Sequence, residues 1–237
     1  MKKVANRKGL NTRLYRYSDK SLFMNIPFGK VTAVDASASR VYATGGQNDG
    51  KMVGFDDPAE GTFKITTQII PIEIIALACS PDGVSEGADW AVREVLKATA
   101  GKITLTAEPI VGTLYVYPKN ADLDGEPVAT TAAASDVTIA DAEEGDEYVA
   151  YYLKNVKDAK TVTLNNNVTP GTYIIYSDTT YKAEDDTIVA EQIHCYKAMP
   201  QKAISLSYQG SGDPASMDLT FDLMEDDNGD VISFTRM

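Results

Sequence analysis

The alternation that decides the fold lies near the C-terminus, in the stretch Met217-Asp218-Leu219-Thr220-Phe221-Asp222-Leu223-Met224. Apolar side chains at every second position are typical of a strand with one buried face, because successive side chains of a strand point to opposite faces. The stretch Asp227-Asn228-Gly229-Asp230 follows, and β-forming residues resume after it. Since Asn-Gly is a preferred dipeptide of type I′ turns, we predict a β-hairpin over residues 216–236.

Similar segments occur along the rest of the chain, with turns rich in Gly, Pro and Asn between them. Many short strands separated in this way indicate a mainly β fold, either a sandwich or a barrel. The predicted strands are Phe63–Ile69, Ile103–Thr106, Thr113–Tyr117, Tyr148–Leu153, Thr161–Leu164, Thr172–Ser177, Ile188–Tyr196 and Ala203–Tyr208.

Helix signals are few. Pro71 suits the first turn of a short helix that continues to Ala78, and Ser80-Pro81-Asp82-Gly83 would end it. Residues 85–99 admit either a helix capped by Ser85 or a strand. We favour a strand from about residue 92, paired with residues 102–107 across the turn at 98–101.

The charge of the chain is unevenly distributed. Residues 1–30 hold eight of the 22 basic residues but one of the 34 acids, so the remainder carries a net charge of −19. An acidic body of this kind repels a phosphate backbone, which argues against an ordinary nucleic-acid-binding protein. The basic segment is either an arm that binds nucleic acid or an arm that docks on the acidic body of a neighbouring copy. The charges within the chain favour the second.

The sequence also bears on location. No uninterrupted apolar stretch approaches the roughly 20 residues that a membrane-spanning helix needs. The basic residues near the start are not followed by the apolar segment of a secretory signal. We therefore expect a protein that is made in the cytoplasm and does not insert into a membrane.

Residues that carry enzyme chemistry are scarce. His194 is the only histidine, and its neighbours on the same strand face provide no carboxylate to orient it. Cys79 and Cys195 stand in apolar segments, which predicts buried thiols and not a metal site. The acidic stretch 225–230 lacks the glutamate that ends a calcium-binding loop, and acids are too abundant for any catalytic pair to stand out. We expect no enzyme activity, no cofactor and no metal.

Two segments have the composition of long excursions between strands. Residues 43–61 hold five glycines, and residues 118–147 hold nine acids and one lysine. The 13 tyrosines lie mostly at strand-like positions. There they contribute either to the surface and core of a sheet or to contacts with another subunit.

Three stretches, taken in order, resemble the tail tube (major tail) proteins of long-tailed bacteriophages of Gram-positive bacteria. The first joins Ile26–Lys30 to Met52–Gly61 and continues to Cys79, the second combines Val92–Leu96 with Gly101–Pro109, and the third is Ala203–Pro214 with the C-terminal hairpin. Together they cover more than half of the chain. Their order carries more of the resemblance than any single motif.

The resemblance implies a tail-tube-type β-sandwich or barrel with a short flanking helix, a long stacking loop and an inserted or decorating β region. Residues 1–30 would be a basic N-terminal arm, and residues 31–117 and 200–237 would form the core. Residues 118–199 would be a β-rich insertion or a continuation of the core. Six copies would join edge to edge into a ring, and rings would stack into a tube that DNA passes through without specific binding.

The resemblance also assigns roles to particular residues. Candidate contacts between rings lie in the basic arm and the stacking loop, at Arg7, Lys8, Arg13, Arg16, Gly45, Gly46, Met52, Val53 and Phe55. Asp218, Thr220 and Asp222 are candidates for the wall of the lumen, because acidic walls do not retain phosphates. The implied partners are further copies of the chain, a tape-measure protein, a tail terminator and baseplate or distal tail proteins. The implied location is the virion tail.

A second interpretation is an Ig-like or adhesin-type β-domain that binds a surface ligand. Such a secreted protein should carry a signal or sorting sequence, and this chain shows neither. An acid-pair hydrolase is the third and least favoured interpretation.

Overall fold

A computed structural model describes residues 3–27, 29, 31–45, 50–79, 83–206, 211–212 and 214–237. Some parts of the sequence predictions lie outside the described residues. They are Phe28, Lys30, Gly46 and the segments 80–82 and 207–210. The described residues form two compact units. The main unit comprises Met1–Val84 with Val162–Met237, and the inserted unit is Ser85–Thr161.

The described residues form seventeen strands and one α-helix, in agreement with the predicted mainly β fold with a short helix. In chain order they are β1 (Val4–Asn6), β2 (Asn11–Arg16), β3 (Leu22–Ile26), β4 (Val31–Ser37), β5 (Arg40–Gly45), β6 (Gly50–Asp56), β7 (Glu60–Thr67), α1 (Ile72–Cys79), β8 (Ser85–Lys97), β9 (Lys102–Thr104), β10 (Tyr115–Pro118), a 3-10 helix (Lys119–Ala121), β11 (Thr130–Ala133), β12 (Asp136–Ile139), β13 (Glu147–Thr161), β14 (Tyr173–Ala183), β15 (Ile188–Pro200), β16 (Met217–Met224) and β17 (Ile232–Arg236).

A nine-stranded antiparallel sheet forms the main unit, in the order β3-β2-β14-β15-β16-β7-β4, with β1 also paired to β14 and β17 also paired to β15. Although β3 and β4 end this order, the chain between Ile26 and Val31 is only four residues long. A link of that length spans less than about 20 Å, so the sheet curls until its two ends approach. The sheet encloses a core that includes Phe63, Phe221 and the buried face of α1.

Residues 4–26 contribute three strands to this sheet. β1 and β2 run one after the other along β14, with Val4 opposite Ala183 and Arg16 opposite Tyr173. Leu14 in β2 and Ile26 in β3 are fully buried in the core. The structure therefore corrects the predicted basic N-terminal arm over residues 1–30, because β1, β2 and β3 are paired within the folded sheet. Of the basic residues that suggested an arm, Arg13 and Arg16 lie on β2, the same strand as the buried Leu14.

The C-terminal strands differ from the predicted hairpin. The alternation over Met217–Met224 is confirmed, because the apolar side chains at 217, 219, 221 and 223 are buried. However, β16 and β17 do not pair with each other, and both lie along β15. Gly229 has a positive φ of 84° but Asn228 does not, whereas a type I′ turn requires both. The Asp226 carboxylate instead accepts hydrogen bonds from the N–H groups of Asn228 and Asp230, which closes a short loop before the strand resumes.

The predicted short helix is confirmed as α1, which begins after Pro71. Two predicted strands are not found where the structure describes them. Val162–Leu164 follows the end of β13, and residues 203–206 contain no strand. A turn follows the first of these segments, since the N–H of Val168 donates to the carbonyl of Asn165.

The inserted unit has its own core, between the three-stranded sheet β10-β13-β8 and the three-stranded sheet β11-β12-β9. The expected pairing of a strand at 92–97 with 102–107 is wrong, because β8 begins at Ser85 and pairs with β13. Ala100 and Gly101 both have positive φ and form a tight turn closed by a bridge between Thr99 and Lys102. The chain then enters the other sheet through β9.

The division between the units differs from the predicted boundaries at 118 and 199. β14 and β15 pair with β2 and β16, which places residues 173–200 in the large sheet. Ser85 and Thr161 are opposite each other on β8 and β13. The inserted unit therefore leaves and rejoins the main unit through adjacent strands, which is a geometry that tolerates an insertion.

Candidate assembly surfaces

The segment predicted to be the stacking loop is a two-stranded ribbon. β5 and β6 prolong the β4–β7 hairpin, and they pair from Arg40 opposite Asp56 to Gly45 opposite Gly50. Residues on both strands are exposed. Isolated two-stranded ribbons are marginally stable in water, so a ribbon of this kind gains stability from whatever covers it.

One face of the ribbon is apolar. Val41 pairs with Phe55 and Ala43 pairs with Val53, and paired residues of a sheet share a face. Met52 is an extra residue between paired positions, and its Sδ lies 3.1 Å from where a Cβ on Gly45 would be. Met52 is 72% exposed and Phe55 is 61% exposed. Contiguous exposed apolar side chains of this kind mark a surface that another molecule covers.

The other face of the ribbon is polar and holds the two strands in register. The Arg40 guanidinium pairs with the Asp56 carboxylate, with one hydrogen bond of 2.9 Å from Nη2. The Lys51 ammonium lies 4.1 Å from the centre of the Tyr42 ring. These contacts fix which face of the ribbon carries the apolar side chains.

The polar face of β16 bears the residues predicted to line a lumen. Asp218 and Asp222 are exposed and Thr220 is half-buried. The Lys64 ammonium on β7 lies 2.7 Å from Asp218, and with the Thr66 hydroxyl it lowers the pKa of that carboxyl.

The four predicted basic contacts lie on β2 and on the loop before it. Arg7 and Lys8 are exposed in that loop. Arg13 pairs with Asp178 on β14, and the Arg16 guanidinium lies 4.6 Å from the centre of the Phe23 ring. The structure therefore brings Gly45, Met52, Val53 and Phe55 together on the ribbon and places the basic residues on a different element.

Sequence reasoning missed an aromatic groove on the outer face of the large sheet. The rings of Tyr15, Tyr176, His194 and Tyr196 follow one another across β2, β14 and β15, with successive centroids 5.5, 4.3 and 4.1 Å apart. These four residues lie outside the core clusters. The alternation of tyrosines was visible in the sequence, but their alignment depends on the register of three strands distant in the chain.

Cys79 and Cys195 are both buried, as predicted, and burial raises the pKa of the Cys195 thiol to about 12. In the described part of the chain, no three His, Cys, Asp or Glu side chains gather where they could hold a metal ion. Nor is any helix of that part both long and apolar enough to span a bilayer.

The fold is that of a mainly β protein whose exposed ribbon suits contact between subunits. In a comparison of the sequence with models of protein families, the family described as YomU/Tube protein family matches residues 8–234. Since this match spans nearly the whole sequence, the chain belongs to the YomU/Tube protein family. No curated protein matches the chain. The family supports the broader prediction, a structural protein of a phage tail tube and so a component of the virion tail.

Proposed function

We propose that copies of this chain form hexameric rings that stack into the tail tube of a long-tailed phage of Gram-positive bacteria. DNA would pass through the lumen of this tube into the host. The observation that carries the proposal is the ribbon, because a monomer in water gains nothing from exposing Val41, Met52, Val53 and Phe55 together. A neighbouring copy that covers these side chains removes apolar surface from water.

Lateral contacts would use the ends of the large sheet. β3 and β4 end its strand order, and β17 pairs with β15 on one side. Edge strands present backbone N–H and C=O groups that pair readily with another strand. Pairing between identical neighbours would close six copies into a ring, whose rotational symmetry leaves no edge unpaired.

The lumen wall would include Asp218, Thr220 and Asp222, which share the polar face of β16. Their face is mixed in charge, since Lys64 pairs with Asp218. A wall without a continuous basic surface would let DNA slide without specific binding. The proposal assigns no enzyme activity and no cofactor to the chain. It places a tape-measure protein in the lumen and a tail terminator and baseplate or distal tail proteins at the ends.

The inserted unit would decorate the outside of the tube. Its separate core and adjacent ends support this role, because such a unit can be added without changing the large sheet.

The test replaces apolar ribbon residues by lysine. We expect Val53→Lys with Phe55→Lys to leave the fold intact, because the ribbon lies outside the core, and to abolish polymerisation. Sedimentation velocity of the purified chain measures polymerisation, and circular dichroism measures folding. Val111→Lys is the matched control, because Val111 is 98% exposed in the inserted unit. Ribbon variants that polymerise as readily as the control would contradict the proposal.

A further inference from the structure

The aromatic groove has the form of a receptor. It is an open groove of about 620 Å³, lined by Tyr15, Tyr17, Tyr176, His194 and Tyr196 among others. Its rings face away from the core of their own unit, so they are not needed to fill it.

Charged residues also line the groove. They are Lys20, and Asp226 and Asp227 of the loop between β16 and β17. Two further acids, Glu225 and Asp230, belong to the same exposed loop. An occupant with apolar side chains on one face and a basic group on the other would match the rings and this acidic loop together.

The ribbon of a second copy presents this combination. Its apolar face carries Val53 and Phe55, and its opposite face carries Lys51, which is exposed beside Tyr42. Aromatic side chains are enriched at the centres of protein interfaces. No other segment has to be supplied, because each copy contains one ribbon and one groove.

We propose that the aromatic groove of one copy receives the β5–β6 ribbon of another, with Lys51 against the Asp226–Asp227 loop. This inference rests on the proposed function and names the surface that the stacking ribbon contacts. The contact is heterologous, because it joins two different surfaces. Each new copy therefore offers a free ribbon or a free groove, and growth stays open-ended, as a tube requires.

The first test mixes two variants at a concentration at which neither polymerises alone. The groove variant carries Tyr176→Ala with Tyr196→Ala, and the ribbon variant carries Val53→Lys with Phe55→Lys. Loss of two central aromatic side chains should raise the concentration needed for polymerisation roughly tenfold or more. An equimolar mixture should form a single stacked pair, because the groove variant still has an intact ribbon and the ribbon variant an intact groove. Sedimentation velocity would show a species of twice the mass that grows no further.

The outcomes separate this inference from the proposed function. If the groove variant forms tubes as the unmodified chain does, the groove is not the receptor, although the chain still builds tubes. If the mixture shows no paired species, the inference is likewise overturned. If the unmodified chain forms no tubes, the proposed function fails and the inference falls with it.

A charge exchange tests the contact without touching the aromatic rings. Lys51→Asp and Asp227→Lys alter exposed side chains, so folding should not change. Each single variant should polymerise less readily, and a chain carrying both should recover, because the opposite charges again face each other. A double variant that is as impaired as the two single changes combined would overturn the inference.

Discussion

At the scale of single residues, the pKa of His194 depends on the packing of the aromatic groove. Its ring stacks on Tyr176 and contacts Tyr196, and burial between them lowers its pKa below 6.5. The negative charge of Asp226 raises the pKa of His194, and the positive charge of Lys20 lowers it further. The folded chain therefore resists protonation that the unfolded chain accepts. Stability supported by neutral His194 is fully present above about pH 6.5 and is lost as the pH falls through the folded pKa.

We expect the His194 ring signals in an NMR titration to change with a midpoint below 6.5 in the folded chain. The same chain in urea should titrate near 6.5, the ordinary value. Because the chain contains no other histidine, the assignment is unambiguous. Tyr196→Ala should move the midpoint back towards 6.5 by admitting water. A folded midpoint at or above 6.5 would contradict the described packing.

Residue-level prediction from the sequence reached part of this site. His194 was correctly placed on a strand, between polar neighbours of the same face. The effect of Asp226 on the pKa of His194 was not predictable, because that carboxylate belongs to a loop that returns to β15 from a distant part of the sequence. Local patterns specify which side chains share a face, and the register of distant strands decides which ones meet.

At the scale of elements, the N-terminal strands connect stability with assembly. β2 contributes Leu14 to the core and lies along β14, so the segment that resembled a free arm is part of the folded sheet. The basic residues of the segment can contact a neighbour only from the surface of that sheet and from the loop before β2. A truncation intended to remove an arm would remove core strands as well.

Leu14→Ala tests this placement. We expect it to lower the free energy of unfolding by about 2–5 kcal/mol, because it leaves a cavity in the core. Leu22→Ala at the edge of the same sheet is the control, since Leu22 is 56% exposed and should change stability by less than about 1 kcal/mol. Urea unfolding followed by circular dichroism measures both. Equal, small losses for the two variants would show that β2 is not anchored in the core.

The elements also show which features of the fold can be predicted from the sequence. The alternation in β16 and the signals for α1 were sufficient, because each depends on neighbours within a few residues. The hairpin prediction failed at Asn228-Gly229. These residues can form part of a short closed loop as well as the turn between two paired strands. The choice between these outcomes lies in β15, which offers one continuous edge to both β16 and β17.

At the scale of the whole molecule, the inserted unit is separable. β8 and β13 leave and rejoin the main unit as paired strands, and paired Cα atoms of antiparallel strands lie about 4.5–5.5 Å apart. A Gly-Ser link can therefore replace residues 85–161. We expect the shortened chain to unfold cooperatively on heating and to polymerise still. An unfolded shortened chain would show that the main unit depends on the insertion.

The family of the chain and its exposed apolar ribbon both support self-association, which is the central claim about this protein. The most direct measurement is electron microscopy of the purified chain, without any other phage protein. We expect tubes with a central channel, whose cross-sections show six-fold symmetry and whose axial repeat reflects stacked rings. The account would be contradicted if the unmodified chain stayed dispersed as single copies. The concentration should be well above the one used to compare the ribbon variants.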